Sequence, residues 1–249
     1  MAMFWKRALV VSAGVIALGA CSMADSAERL IEGDSDSADS GEWSSSWSGE
    51  LFDRITLAGP DNLTFVTEGK HAVSATGDAK ALEALQFKVR NGELRIRRKS
   101  SNWSFSDKGE AMITVNAPAL RALALAGSGS ARIDQMEGDE IELSIAGSGN
   151  AEVAKLAAKK LDGAIAGSGS LRLAGSADSA DISIAGSGSV MGERFTSPVV
   201  DISIAGSGDV TMASDGTVEA SLMGSGDVTI KGSAKCKSSA MGSGSITCG

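Results

Sequence analysis

Seven copies of Gly-Ser-Gly punctuate the second half of the chain, their first glycines being Gly127, Gly147, Gly167, Gly186, Gly206, Gly224 and Gly242. The spacing is 18 to 20 residues, and the octet DISIAGSG occurs twice unchanged, from Asp181 and from Asp201. Self-similarity sustained at such a period marks a solenoid, whose units are too small to bury an apolar face alone and bury it by stacking.

Aligned on those glycines, the apolar positions fall into columns. Two residues before the corner stand Leu125, Ile145, Ile165, Ile184, Ile204, Leu222 and Ala240; four residues after it stand Ala131, Ala151, Leu171, Val190, Val210, Val228 and Ile246. The alternate positions along the strands are mainly Ser, Asp, Thr, Arg or Glu, so each unit reads as strand, corner, strand with one apolar face. Copies stacked about 4.8 Å apart, each strand pairing in parallel with the next, make a single-stranded parallel β-helix of about seven coils with ladders of like residues inside. Glycine permits the sharp corner, and the corner serines are placed to hydrogen-bond to backbone or to one another. An antiparallel meander or barrel with a hairpin at each Gly-Ser-Gly satisfies the same alternation. Hairpins do not require the same three residues at every turn, however, and a membrane barrel calls for aromatic girdles. Here aromatics make up 4% of the chain and tyrosine is absent.

Residues 51–118 carry a less regular strand section, with alternation in FDRITLAG, NLTFVTEG, AVSATG, ALQFKVRNGELRIRR and AMITVNAP. Asn91-Gly92 marks a hairpin with a type I′ turn, which needs positive φ at both central residues. The β-helix domain is thus expected over 51–249, with the repeats in 119–249.

The first 20 residues read as an export signal. Lys6 and Arg7 precede the apolar run from Ala8 to Leu18, which is too short to span a bilayer as a helix. Leu18-Gly19-Ala20-Cys21 resembles the lipobox of bacterial lipoproteins, which implies cleavage before Cys21, acylation of its thiol and a lipid anchor in the membrane. Ser22 in place of aspartate leans the sorting towards the outer membrane. Between residues 22 and 50 stand eight acids against Arg29 alone, in a Ser/Gly-rich stretch that reads as a self-repelling tether. Most of the net charge of −8 lies there. Trp43 and Trp47 close it, either as an interaction motif or as local packing.

The run from LFDRITLAG through LRIRRK and ITVNAPALRALALAGSGSARI to the recurrent ISIAGSGDV resembles the autotransporter-adhesin head GIN domain family over nearly all of residues 50–249. That resemblance implies a β-solenoid of the cell envelope or surface, and it brings no catalytic residues with it.

Candidate chemistry is sparse. His71 is the one histidine, so a Ser/His/Asp triad has one possible base. Asp209 and Asp227 share a corner position and read either as a stacked carboxylate pair, for a cation or for acid/base work, or as ordinary turn residues. No Gly-Lys-Ser/Thr follows the glycines, the calcium-binding nonapeptide of β-rolls is absent, and no metal or cofactor is expected. Lys88, Arg90, Arg95, Arg97, Arg98 and Lys99 crowd the Asn-Gly hairpin as a patch suited to phosphate or sulfate on lipopolysaccharide and acidic glycans. Trp103 and Phe105 nearby offer stacking for sugars. Cys236 and Cys248 lie six residues either side of Gly242, both inward by alternation, and are placed to form a disulfide that closes the last coil. The expectation is a non-enzymatic, lipid-anchored envelope protein presenting a rigid solenoid to envelope glycans, lipopolysaccharide or surface proteins and not to nucleic acid. The alternative is a carbohydrate-active enzyme or glycan-binding module on the same fold.

Overall fold

A computed structural model describes residues 42–99 and 109–249. The signal segment, Cys21, most of the tether, Trp103 and Phe105 lie outside the described residues.

Among the described residues eighteen strands join into one continuous sheet wound as a parallel solenoid, with one short helix in a connection. The repeat section comprises β7 (Ala122–Gly127), β8 (Ser130–Ile133), β9 (Met136–Gly147), β10 (Asn150–Gly167), β11 (Ser170–Gly186), β12 (Ser189–Thr196), β13 (Val199–Gly206), β14 (Asp209–Ala213), β15 (Thr217–Gly224), β16 (Asp227–Lys231), β17 (Lys235–Gly242) and β18 (Ser245–Cys248). Every corner glycine pairs with the corner glycine of the next coil, from Gly127↔Gly147 to Gly224↔Gly242. Seven such corners delimit six turns, so the solenoid has about six turns where seven coils were expected.

The two glycines of each corner do different work. The first adopts positive φ, +134° at Gly206, and a Cβ there would lie 2.1 Å from the Gly186 carbonyl oxygen. The second points inward, and a Cβ on Gly208 would lie 2.7 Å from Cγ2 of Ile184. The serine between them acts through its backbone. Ser207 N–H donates to Gly186 O at 2.8 Å, a bond repeated at each repeat corner from Ser148 to Ser243. The corner hydroxyls are exposed and make no hydrogen bond among the described residues, contrary to the sequence expectation. The N–H ladder already satisfies the backbone, leaving the side chain to water.

The isoleucine columns fill the interior: Ile165, Ile184 and Ile204 stack in register and are buried. Burial of each such side chain contributes about 2 kcal/mol. In the turn from Gly147 to Gly167, the successive outward pairs Ala154-Lys155 and Lys159-Lys160 interrupt the alternation and divide the coil into three runs.

The N-terminal section builds the other end of the stack. β1 (Arg54–Ala58) and β2 (Asn62–Thr67) pair in parallel with β7 and β8, so Gly59-Pro60-Asp61 is a further corner without the serine. On their far side lie β5 (Glu93–Arg98) and β6 (Ala111–Ala117). Beyond these, β4 (Leu85–Arg90) and β3 (Ala72–Gly77) pair antiparallel with β5 and β6. A six-residue helix, α1 (Ala79–Ala84), links β3 to β4. Asn91 and Gly92, with φ of 51° and 77°, form the tight turn between β4 and β5.

Candidate functional site

The cations of the β4–β5 hairpin do not form one open patch. Lys88↔Arg95 and Gln86↔Arg97 pair across the hairpin with their side chains on its outer face. Ser44 bridges Phe87 through two backbone hydrogen bonds of 3.0 and 2.8 Å, which lays the end of the tether over that face. Trp43 then covers two of the cations: Arg97 Cζ lies 3.8 Å and Lys88 Nζ 5.6 Å from its ring centroid. The quadrupole of the indole holds them there. Arg95 pairs with Glu93 at 3.0 Å. Arg98 points inward and is buried with Asp61. Arg90 and Lys99 are the exposed members of the set. The hairpin was legible in the sequence, but Trp43 and Asp61, which cover or pair with Lys88, Arg97 and Arg98, lie outside it.

His71 is half-buried, and its Nε2–H donates to the carbonyl of Phe52 at 2.8 Å while the two rings meet edge to face. Trp47 packs beside Phe52 and donates from Nε1 to Glu50 O. Asp209 and Asp227 serve the corners. Asp209 Oδ1 accepts the N–H of Asp227 at 2.9 Å, and Asp227 Oδ1 accepts the N–H and hydroxyl of Ser245 at 3.0 and 2.6 Å. Those two bonds hold the Asp227 carboxyl below the usual carboxylate range. Among the described residues no three His, Cys, Asp or Glu side chains gather to hold a metal. Cys236 and Cys248 take the inward positions of Val218 and Ile230 in the coil before, and a disulfide joins them with their Cα atoms 6.5 Å apart.

A larger arrangement lies on the outward side of the strand before each corner. Glu142, Asp162, Asp181, Asp201 and Glu219 stand in register on five successive rungs, and Lys237 follows on the sixth. Cations meet the column on either side of its middle, Lys160 at 2.9 Å from Asp162 and Lys237 at 2.7 Å from Glu219. Asp181 and Asp201, in the middle, have no ion pair among the described residues. Loss of hydration between the stacked strands raises the Asp181 carboxyl above its ordinary value, and Asp201 and Asp162 add to the rise against the pull of Lys160. Loss of hydration, then Glu219, raises Asp201.

Beside the acids runs a second column, Ala164, Ser183, Ser203, Ser221 and Ser239, and next to the corner a third, Ala166, Ala185, Ala205, Met223 and Met241. The two methionines are 62% and 67% exposed and form the apolar end of this face. The face is thus ordered in two directions, by strand pairing along the stack and by alternation across it. It offers repeated carboxylate, hydroxyl and methyl groups to a partner. The octet carries Asp181 and Asp201, but the column is not legible in the sequence, because its other members sit in repeats that differ in sequence.

Among the described residues no helix is long and apolar enough to cross a membrane. No curated protein matches this chain. In fold it is similar to a "putative adhesin" from Bacteroides fragilis NCTC 9343, with a TM-score of 0.70 and 23% identity over 80% of this chain and 93% of that one. It is also similar to a "putative lipid binding protein" from Parabacteroides distasonis ATCC 8503, at 0.64 and 27%, again over 80% of this chain and 93% of the other. A "putative adhesin" from Parabacteroides merdae ATCC 43184 matches at 0.63 and 21%, over 79% and 91%. The profile of the family described as "Putative auto-transporter adhesin, head GIN domain" matches residues 51–234, and the chain belongs to that family.

Proposed function

We propose that this protein is a non-enzymatic adhesion module of the bacterial cell envelope, lipid-anchored through Cys21 and held off the membrane by its acidic tether. The observation that carries the reading is the outer face of β9, β10, β11, β13, β15 and β17, where like side chains repeat in register from rung to rung. A rigid surface with the same groups at fixed spacing engages a repetitive partner through many weak contacts, whose avidity exceeds any single one. The carboxylate column selects partners bearing cationic groups, such as basic surface proteins or the amines of envelope glycans. Such attachment weakens as salt screens it.

The test is attachment of cells displaying the full chain to surfaces coated with a basic protein. Asp181→Lys/Asp201→Lys reverses the centre of the column at exposed positions, and Cys21→Ser removes the acylated thiol. Both are expected to lower attachment by about tenfold, the first with the protein still on the cell and the second with it released. Unchanged attachment by the charge-reversed protein contradicts the reading, and retention of the serine variant in the membrane contradicts the anchor.

A further inference from the structure

A groove of about 550 Å³ crosses the outside of the coil just ahead of the strands that carry the acid column, Asp178 and Pro198 standing three residues before Asp181 and Asp201. Its origin is a change in turn length. The turn from Gly186 to Gly206 has 20 residues and the two that follow have 18 each. Glu193, Arg194 and Phe195 find no partners in β14, because the register steps from Gly192↔Met212 to Thr196↔Ala213. Phe195, in this unpaired stretch, is fully buried, so the two extra residues of the long turn are taken up around an inward side chain.

The groove combines an apolar floor with polar walls. Pro198 and Ala213 form part of the floor, Ser176 and Thr196 supply hydroxyls, and Asp178 and Asp215 supply carboxylates. Asp215 is oriented from behind: its Oδ1 accepts the N–H and hydroxyl of Ser233 at 2.9 and 3.0 Å. Its Oδ2 has no protein partner among the described residues. The bonds from Ser233 also hold this carboxyl below the usual range, so it is ionised at neutral pH. Lys231, at one wall, is paired with Glu193 at 3.2 Å, which leaves the groove with net negative charge.

We propose that this groove binds a neutral, extended, β-linked glycan laid along the stacking direction. Ser179, Val199 and Thr217 are in register, so Asp178, Pro198 and Gly216 follow one another on successive rungs, and Asp215, one residue before Gly216, lies about two rungs, or ~10 Å, from Asp178. One rung is close to the length of one pyranose ring along an extended chain. The two carboxylates therefore address alternate sugars, each accepting from a pair of hydroxyls, and Pro198 covers the C–H face of the ring between them. Charged hydrogen bonds to hydroxyls and an apolar surface under the ring are the two contacts a sugar needs. The same charge repels uronic, sulfated and phosphorylated chains. This site is separate from the face assigned to adhesion and stands whichever surface serves attachment.

The probes are xylohexaose, cellohexaose and chitohexaose, with galacturonic acid hexamer as the acidic counterpart, titrated against the detergent-solubilised full chain by ligand-observed NMR. At least one neutral hexaose is expected to bind and the acidic one not. Asp178→Ala is expected to weaken binding about tenfold. Thr196→Trp, which fills the groove from an exposed position, is expected to abolish it with the melting temperature unchanged. Absence of binding by all three neutral hexaoses, equal binding by wild type and Thr196→Trp, or preference for the acidic hexamer overturns the proposal. Asp181→Lys/Asp201→Lys leaves glycan binding intact, so failure here and failure of the adhesion reading are separately visible.

Discussion

Asp61 occupies the corner position that glycine holds in each Gly-Ser-Gly, and Arg98 grips both its oxygens, Nε to Oδ2 at 2.8 Å and Nη2 to Oδ1 at 2.5 Å. Both side chains are 1% exposed. Asp61 Oδ1 also accepts the N–H of Ala111, and Arg98 Nη2 donates to Gly109 O, so the pair ties β5 and the start of β6 to the first corner. A charge left alone in such a place is costly. Arg98→Met is expected to lower stability by about 3 to 5 kcal/mol in urea unfolding. Asp61→Gly/Arg98→Leu, which restores the corner glycine and removes both charges, is expected to recover most of that loss. Equal stability of wild type and Arg98→Met would show that the pair is not buried.

The middle of the acid column works against the fold at neutral pH. A carboxyl whose pKa is raised on folding binds its proton more tightly in the native state, so stability rises as pH falls through the folded value and levels off below the unfolded one. Asp181 and Asp201 are both raised. Asp181→Asn/Asp201→Asn is therefore expected to be more stable than wild type at pH 7, by about 0.5 to 1 kcal/mol at low salt. That advantage should vanish below about pH 4. Asp215 and Asp227, lowered by their hydrogen bonds, destabilise both proteins alike as pH falls further. Thermal melts across pH check the difference, and an advantage that persists at pH 3 would count against the stacking.

Corner glycines differ in what they tolerate. Gly206→Ala puts a Cβ at 2.1 Å from Gly186 O in a left-handed conformation, and a loss of about 3 kcal/mol or more is expected. At Gly59 the nearest atom to such a Cβ is 3.8 Å away, so Gly59→Ala pays the conformational strain without the clash. Its loss should be less than half as large, as read by denaturant midpoints.

The terminal coil has smaller inward residues than the one before, with Ser238 in register with Ala220 and Ala240 with Leu222. It buries little, and the Cys236–Cys248 bridge closes it. Reduction, or the Cys236→Ser/Cys248→Ser variant, is expected to cost up to about 3 kcal/mol. Amide exchange should accelerate in β17 and β18 first, while β10 and β11 stay protected. Alkylation of two cysteines in unreduced, denatured protein would show that the bridge does not form.

The repeat register was legible because Gly-Ser-Gly returns at nearly constant spacing and carries its apolar neighbours with it. Ile184 above Ile165 follows from counting alone. The first corner was missed, since Gly59-Pro60-Asp61 keeps one glycine and buries an acid whose partner is 37 residues away. The layering of β3 to β6 depends on that contact and on the antiparallel β3–β6 pairing, which no local pattern announces. The cover over the basic hairpin was illegible for a related reason: alternation places Lys88 and Arg97 on the outer face, but only the fold brings Trp43 over them. The groove arises from a difference of two residues between turns, which reads in the sequence as noise in the period.

Residues one turn apart share a column, and the core, the acid face and the groove all depend on that register. Cysteines at Ser183 and Ser203, outward and directly in register, test it in a background with Cys21, Cys236 and Cys248 replaced by serine. Mild oxidation followed by mass spectrometry of proteolytic fragments is expected to show a 183–203 cross-link, and none for the pair 183 and 221, two rungs apart. Cross-linking of 183 to 221 in preference to 203, or no cross-link in either protein, would contradict the in-register solenoid.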